Sequence, residues 1–192
     1  SKVFASAQKV LIPLCGASPD VGWFLSRGFS VAGIELVETA VIRLFETLRQ
    51  PYKVEKSAIG PVYRGERLEI YVADYFTIPA KYFSECDAHY DRAAIIAMPP
   101  SRQQDYVEQL RVMAPHLKLS VWIGLTHDGG PDAGPPFSTP YEVLTSYCNA
   151  QWQLLTQAPV TLGKSNAEAG VGQLPKFAPS TVMEYMATCW WR

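Results

Sequence analysis

Three short segments of this 192-residue chain end in side chains able to hold a small polar ligand, and each follows an apolar run. Val10-Leu11-Ile12-Pro13-Leu14 leads into Cys15-Gly16, where a missing side chain lets a ligand approach the backbone closely. Val31-Ala32-Gly33-Ile34 ends in Glu35, about twenty residues after that turn, where a carboxylate can accept both hydroxyls of a ribose. Leu68-Glu69-Ile70-Tyr71-Val72 is followed by Asp74-Tyr75, a polar side chain beside an aromatic one, suited to an adenine ring. The chemistry these residues imply is recognition of an adenosine. The dinucleotide fingerprint G-x-G-x-x-G is missing, because Leu14-Cys15-Gly16-Ala17-Ser18-Pro19 offers one glycine. A pyrophosphate needs the tight glycine-rich turn. S-adenosylmethionine carries no phosphate and suits a single-glycine turn followed by a ribose-binding acid.

The elements that must position these residues follow from hydrophobic periodicity. The runs at 10–14 and 31–34 do not alternate, as expected of strands buried on both faces of a parallel sheet. After the first run, Ser18 is expected to cap a helix with Pro19 at its first position and Asp20 in its first turn. Val21, Phe24 and Leu25 line that helix, and Gly28 ends it. Ala40, Val41, Leu44, Phe45 and Leu48 mark a second helix, closed by Pro51. Val62-Tyr63 and Leu68–Val72 predict a hairpin around Arg64–Arg67 that leads into a third strand. Further strands are expected at Ala88–Asp91 and Leu119–Leu125, separated by a helix from Ser101 that carries Tyr106, Val107, Leu110 and Met113. A Gly/Pro-rich loop spans Asp128–Pro136, a short helix Glu142–Ser146, and two last strands Trp152–Leu155 and Thr181–Trp190. Between those strands, Pro159–Pro179 reads as a long surface excursion. The alternation predicts one doubly wound α/β domain over residues 1–192. Ligands of such sheets bind at the carboxyl ends of the strands, near the switch in strand order.

Composition narrows the function classes. The net charge is −1 and no run of Lys or Arg occurs, so neither nucleic acid nor an anionic membrane surface is an expected partner. No apolar stretch approaches the roughly 20 residues that span a bilayer. Cys15, Cys86, Cys148 and Cys189 form no C-x-x-C pair, so neither a zinc site nor a disulfide framework is expected, and the chain reads as a cytoplasmic protein with reduced thiols. Cys15 is read as a small buried hydrophobe rather than a reactive thiol. His89 and His116 look ordinary, and His127, at the end of the fifth strand, is a secondary candidate for acid–base work.

Leu11-Ile12-Pro13-Leu14-Cys15-Gly16, with Trp23-Phe24, Arg27-Gly28 and Gly33-Ile34-Glu35, resembles the thiopurine S-methyltransferase family. Asp91-Arg92-Ala93-Ala94, the helix from Ser101 and Gly134-Pro135-Pro136-Phe137 extend the likeness over residues 9–147. The resemblance implies a Rossmann-like class I methyltransferase fold, a mostly parallel sheet with an antiparallel final strand. It implies S-adenosyl-L-methionine as cofactor, held by Leu14, Gly16, Glu35, Asp74, Tyr75 and Arg92. It also implies a substrate pocket roofed by the Gly134–Phe137 loop, with Pro136 and Phe137 against the acceptor. The chain departs from the family pattern at Ala17, where a Lys is usual, and at Val37, where a Ser would cap the next helix by about 1 kcal/mol. The family's Trp-bearing N-terminal lid has no counterpart in this sequence, and Lys164 and Lys176 are the nearby candidates for its basic residue before the last strand.

The expected reaction is methyl transfer to a small thiol by a monomeric enzyme. Alternatives from the same residues are methylation of inorganic selenium or tellurium species, or of another small nucleophile, and cofactor binding without catalysis. A thiol of pKa about 8.5 is partly ionised near neutrality, so positioning can supply about 7–11 kcal/mol without an obligatory general base. Arg92 is the candidate to stabilise an anionic acceptor.

Overall fold

The computed structural model describes residues 2–130, 132–160 and 181–191. Nine strands and four α-helices are found among them: β1 (Lys9–Pro13), α1 (Pro19–Ser26), β2 (Ser30–Glu35), α2 (Glu38–Leu48), β3 (Lys53–Ser57), β4 (Gly60–Gly65), β5 (Leu68–Val72), β6 (Ala88–Arg92), α3 (Pro100–Met113), β7 (Leu119–His127), α4 (Tyr141–Ser146), β8 (Gln151–Pro159) and β9 (Val182–Trp190). Single 3-10 turns occupy Lys2–Phe4, Tyr75–Thr77 and Ile95–Ala97. These residues fall into two compact units, one of residues 2–91, 109–120 and 191, the other of residues 92–108, 121–130, 132–160 and 181–190. No helix among the described residues is long and apolar enough to cross a membrane.

In the first unit the strand order is β3-β4-β5-β2-β1-β6. β2 and β6 flank β1 in parallel, and β5 runs parallel to β2. Chain order therefore grows outward from β1 on both sides, which is the doubly wound pattern, and the switch lies between β1 and β6. The apolar runs behave as their lack of alternation demands. Val10, Leu11, Val31, Ala32, Leu68 and Ile70 have no exposed surface at all. Helix α1 buries Val21 and Phe24, and α2 buries Val41, Leu44 and Phe45. Phe24 sits edge-on to Phe4, Phe29 and Tyr90, with centroids 5.1, 5.7 and 5.1 Å away.

The hairpin around Arg64–Arg67 forms, with β4 antiparallel to β5. Beyond it lies β3, which the sequence did not reveal. Its Lys53-Val54-Glu55-Lys56 are all exposed, so no hydrophobic alternation marks it. Backbone pairing from Lys53↔Arg64 to Ser57↔Gly60 forms it, helped by an Arg64–Glu55 bridge of 2.9 Å. A charged outer strand of this kind also resists pairing with another chain. At the amino ends of the strands Lys9 bridges Glu69 at 2.8 Å and Glu85 at 3.1 Å, and Arg64 pairs with Glu69 as well.

The second unit orders its strands β7-β9-β8. The final strand β9 is antiparallel to β8, from Gln151↔Trp190 to Pro159↔Met183, with a bulge between Leu154 and Thr156. β8 runs well beyond the expected Trp152–Leu155, because it is a largely exposed strand whose pattern carries little signal, and β9 falls within the expected Thr181–Trp190. Gln103 donates to the Thr139 hydroxyl at 2.7 Å, and the Tyr185 hydroxyl donates to the Thr139 carbonyl at 2.7 Å. The expected excursion lies outside the described residues from 161 onward, and Lys164 and Lys176 with it.

Candidate active site

The carboxyl ends of β1, β2 and β5 bring the first unit's named residues to one edge of the sheet. After β1 the chain turns through Leu14 at φ 47° and Gly16 at φ 51°. Left-handed backbone is strained for Leu14, by roughly 1–2 kcal/mol, and is the kind of strain that concentrates at functional sites. At Gly16 an added side chain would meet only Glu35 Oε2, 4.0 Å away, so conformation rather than space calls for glycine there. The turn is pinned by the Cys15 amide donating to the Ile34 carbonyl at 3.1 Å and by the Ser18 amide donating to the Cys15 carbonyl at 3.1 Å. Helix α1 starts as its sequence requires: the Ser18 hydroxyl accepts from the Asp20 amide, and Pro19 takes the first position.

Glu35, half-buried at the end of β2, is fixed from two sides. Its Oε2 accepts the Gly16 amide at 2.8 Å, and its Oε1 accepts the Val37 amide at 2.8 Å. A carboxylate offers about four acceptor positions, so each oxygen keeps capacity for one more donor. Two spare acceptors held side by side match the two hydroxyls of a ribose. The Val37 amide also explains how α2 tolerates an apolar residue at its N-cap. No side-chain cap bond is formed there, and the strand-end acid serves one free amide instead.

At the end of β5 the Ala73 amide donates to the Glu35 carbonyl at 3.1 Å, which ties the two strand ends together. Asp74 is exposed, and its Oδ1 accepts the Phe76 amide at 2.9 Å to cap the following 3-10 turn. Tyr75 is buried, at 4% exposure, and its carbonyl accepts from Gln109 Nε2 at 3.3 Å. The open aromatic face expected beside Asp74 is thus turned into the core. Leu36 and Val37, 66% and 54% exposed, are the large apolar side chains that stand open directly after Glu35. Sequence reasoning singled out Val37 only as a missing helix cap and Leu36 not at all, although two apolar residues after a strand-end acid and before a helix are an available signal.

Cys15 is buried, and burial together with the nearby Glu35 charge raises its thiol above the ordinary range. That places it as a packing residue against Gly33, where an added Cβ would lie 2.9 Å from its sulfur. His89, fully buried on β6, is lowered to about 3 by burial and stays neutral.

In the second unit Arg92 is the exposed last residue of β6, and Ala93 follows in left-handed backbone at φ 74°. The preceding Asp91, in the first unit, is fully buried. Pro136 and Phe137 are half-buried. The Phe137 amide donates to the Ile96 carbonyl at 2.6 Å, and its ring lies against Gly134, where a Cβ would come within 2.4 Å.

The family model for thiopurine S-methyltransferase matches residues 2–176. The chain belongs to that family. It is 35% identical over 150 residues to thiopurine S-methyltransferase of Pseudomonas syringae pv. tomato, covering 78% of this chain and 68% of that protein. The namesake of Azotobacter vinelandii is 35% identical over 159 residues, 82% of this chain and 73% of the other. Among solved structures, the chain is similar to an S-adenosylmethionine-dependent methyltransferase from Anabaena variabilis at TM-score 0.61 and 16% identity, covering 96% of this chain and 77% of that one. It is also similar to the 1,6-didemethyltoxoflavin-N1-methyltransferase of Burkholderia thailandensis, solved with S-adenosylhomocysteine, at TM-score 0.57 and 16% identity, covering 99% and 76%. The fold is the Rossmann-like class I methyltransferase fold. As a member of the thiopurine S-methyltransferase family the protein is an S-adenosylmethionine-dependent methyltransferase, and the acceptor positions left on Glu35 fit the sugar of that cofactor.

Proposed function

We propose that this chain methylates the sulfur of a small thiol, with S-adenosylmethionine bound over the Leu14–Gly16 turn and its ribose on Glu35. The observation that carries the reading is the Glu35 carboxylate, oriented by the Gly16 and Val37 amides with one acceptor position left on each oxygen. When bound, the cofactor supplies a methyl group already activated by its sulfonium. The protein's own residues then have to orient and exclude water. Glu35 fixes the sugar, and the left-handed turn at Leu14 and Gly16 opens backbone toward the thioether end. Leu36 and Val37 offer apolar surface to the flat face of the base, and Asp74 offers polar atoms to its edge. Arg92 is assigned to an anionic acceptor, and Pro136 and Phe137 to its apolar body.

No general base is assigned. A soft thiolate needs alignment rather than proton abstraction, and positioning of that kind is worth about 7–11 kcal/mol. The thiol rather than another nucleophile is favoured by the relatives, which are named for thiopurine S-methylation and are up to 35% identical to this chain. The test is a methyl-transfer assay with isotopically labelled cofactor against thiophenol, selenite, tellurite and iodide. The expected product is methylated thiophenol, lost on Arg92→Met through a raised KM. Methylation of selenite alone would move the acceptor to a metalloid, and binding of S-adenosylhomocysteine with no transfer to any acceptor would leave a cofactor-binding protein.

A further inference from the structure

His127 ends β7, and its side chain reaches two separated points of the following segment. Its Nδ1 accepts the Gly129 amide at 3.1 Å, and its Nε2 lies 3.1 Å from the Pro136 carbonyl. An amide N–H can only donate, so Nδ1 has no proton; a carbonyl can only accept, so Nε2 carries one. Those two contacts specify the neutral imidazole in a single tautomer. The His127 backbone adds a third tie, its amide donating to the Ser138 hydroxyl at 3.3 Å.

The residue held by these ties is Phe137. On its amino side, Pro136 is bound through its carbonyl to the imidazole. Its own amide is bound to the Ile96 carbonyl at 2.6 Å. On its carboxyl side, Ser138 meets the His127 amide and the Thr139 amide donates to the Leu125 carbonyl at 2.8 Å. Its ring also packs on Gly134. Among these anchors the imidazole and the Ser138 hydroxyl come from side chains, and the imidazole is the one that meets the Pro136 carbonyl.

We propose that His127 is a positioning residue: its neutral, Nε2-protonated ring fixes the Pro136–Phe137 step and thereby sets how tightly the methyl acceptor is held. The acid–base role open to this histidine on sequence grounds is replaced by this one, since both ring nitrogens are engaged by backbone. The proposal rests on the acceptor role given above to Pro136 and Phe137, and it deepens that reading by naming what orients them.

The experiment combines two readouts on the full chain. Long-range nitrogen–proton NMR of the imidazole reports the tautomer without reference to catalysis, and the expected result is protonation at Nε2 alone. Steady-state kinetics with thiophenol then compare the wild type with His127→Phe and His127→Gln. His127→Phe keeps a ring but makes neither bond, and the acceptor KM is expected to rise about five- to tenfold, as the loss of one to two hydrogen bonds predicts. S-adenosylhomocysteine affinity by calorimetry is expected to stay within about twofold, since His127 makes no contact assigned to the cofactor. His127→Gln restores a donor near Pro136 and is expected to recover part of the loss. A proton on Nδ1, or an unchanged acceptor KM in His127→Phe, would overturn the proposal, as would equal loss of cofactor and acceptor binding. Should wild-type protein fail to bind S-adenosylhomocysteine, the methyltransferase reading fails instead, and the tautomer together with amide exchange at Gly129 still decides whether the clamp exists.

Discussion

At the residue scale, one carboxylate organises the site by what it accepts. Glu35 draws in the amides of Gly16 and Val37, so the turn after β1 and the start of α2 are both referred to the same two oxygens. The neighbouring Cys15 illustrates how environment decides between two uses of one residue type. A helix N-terminus lowers a thiol pKa and makes it reactive. Here burial and the Glu35 charge act the other way and raise it. Cys86 is likewise pushed up to about 12, first by burial and then by Glu85. Both thiols are therefore expected to resist iodoacetamide at pH 8 in the native protein and to react once urea unfolds it. Fast native labelling of Cys15, mapped by mass spectrometry, would contradict the packing role. The meeting of Gly16 and Glu35 was legible, because each directly follows an apolar run that reads as a neighbouring buried strand. The Val37 amide contact was not, since every residue but proline has such a donor and the sequence does not advertise its direction.

At the scale of elements, strands and helices that bury a face were readable, whereas the exposed β3 was missed and the exposed β8 read too short. β1 and β2 declare themselves through continuous apolar runs, β5 through the hairpin that leads into it, and α1 through Ser18-Pro19. β3 hides because Lys53–Lys56 are solvent-facing and its formation depends on pairing with β4, a long-range fact. Asp74-Tyr75 lies at the strand end where periodicity put it, with Asp74 exposed and the Tyr75 side chain buried by packing that the sequence does not advertise. Helix α2 carries a correctable weakness at its start, where Val37 has extended backbone and makes no side-chain cap. Val37→Ser is expected to add a cap bond and stabilise the protein by about 1 kcal/mol. That corresponds to a rise of about 2–4 °C in Tm for a chain of this size. Calorimetric melting checks it, and an unchanged or lower Tm would mean that the Glu35–Val37 amide contact already satisfies the helix start.

At the scale of the whole molecule, stability and function should respond differently to acid. His89 is fully buried and its pKa falls to about 3, whereas an unfolded histidine titrates near 6.5. Below about pH 6.5 the unfolded chain takes up a proton that the folded one refuses, so this group destabilises the fold progressively as pH drops toward 3. The slope it contributes is about 1.4 kcal/mol per pH unit in that window, and it vanishes above it. Urea midpoints measured from pH 7 to 4 are expected to fall less steeply for His89→Gln than for wild type. Equal slopes would place the lowered titration elsewhere. Cofactor recognition, by contrast, is proposed to rest on the Glu35 carboxylate. Calorimetric titration of S-adenosylhomocysteine into wild-type protein and Glu35→Gln tests that claim most directly. An amide at this position has one oxygen for two backbone N–H donors and offers a ribose no charge, so affinity is expected to fall about 10- to 100-fold with the fold intact by circular dichroism. Equal affinity in the two proteins would contradict the assignment of the sugar to Glu35, and with it the placement of the cofactor over the Leu14–Gly16 turn.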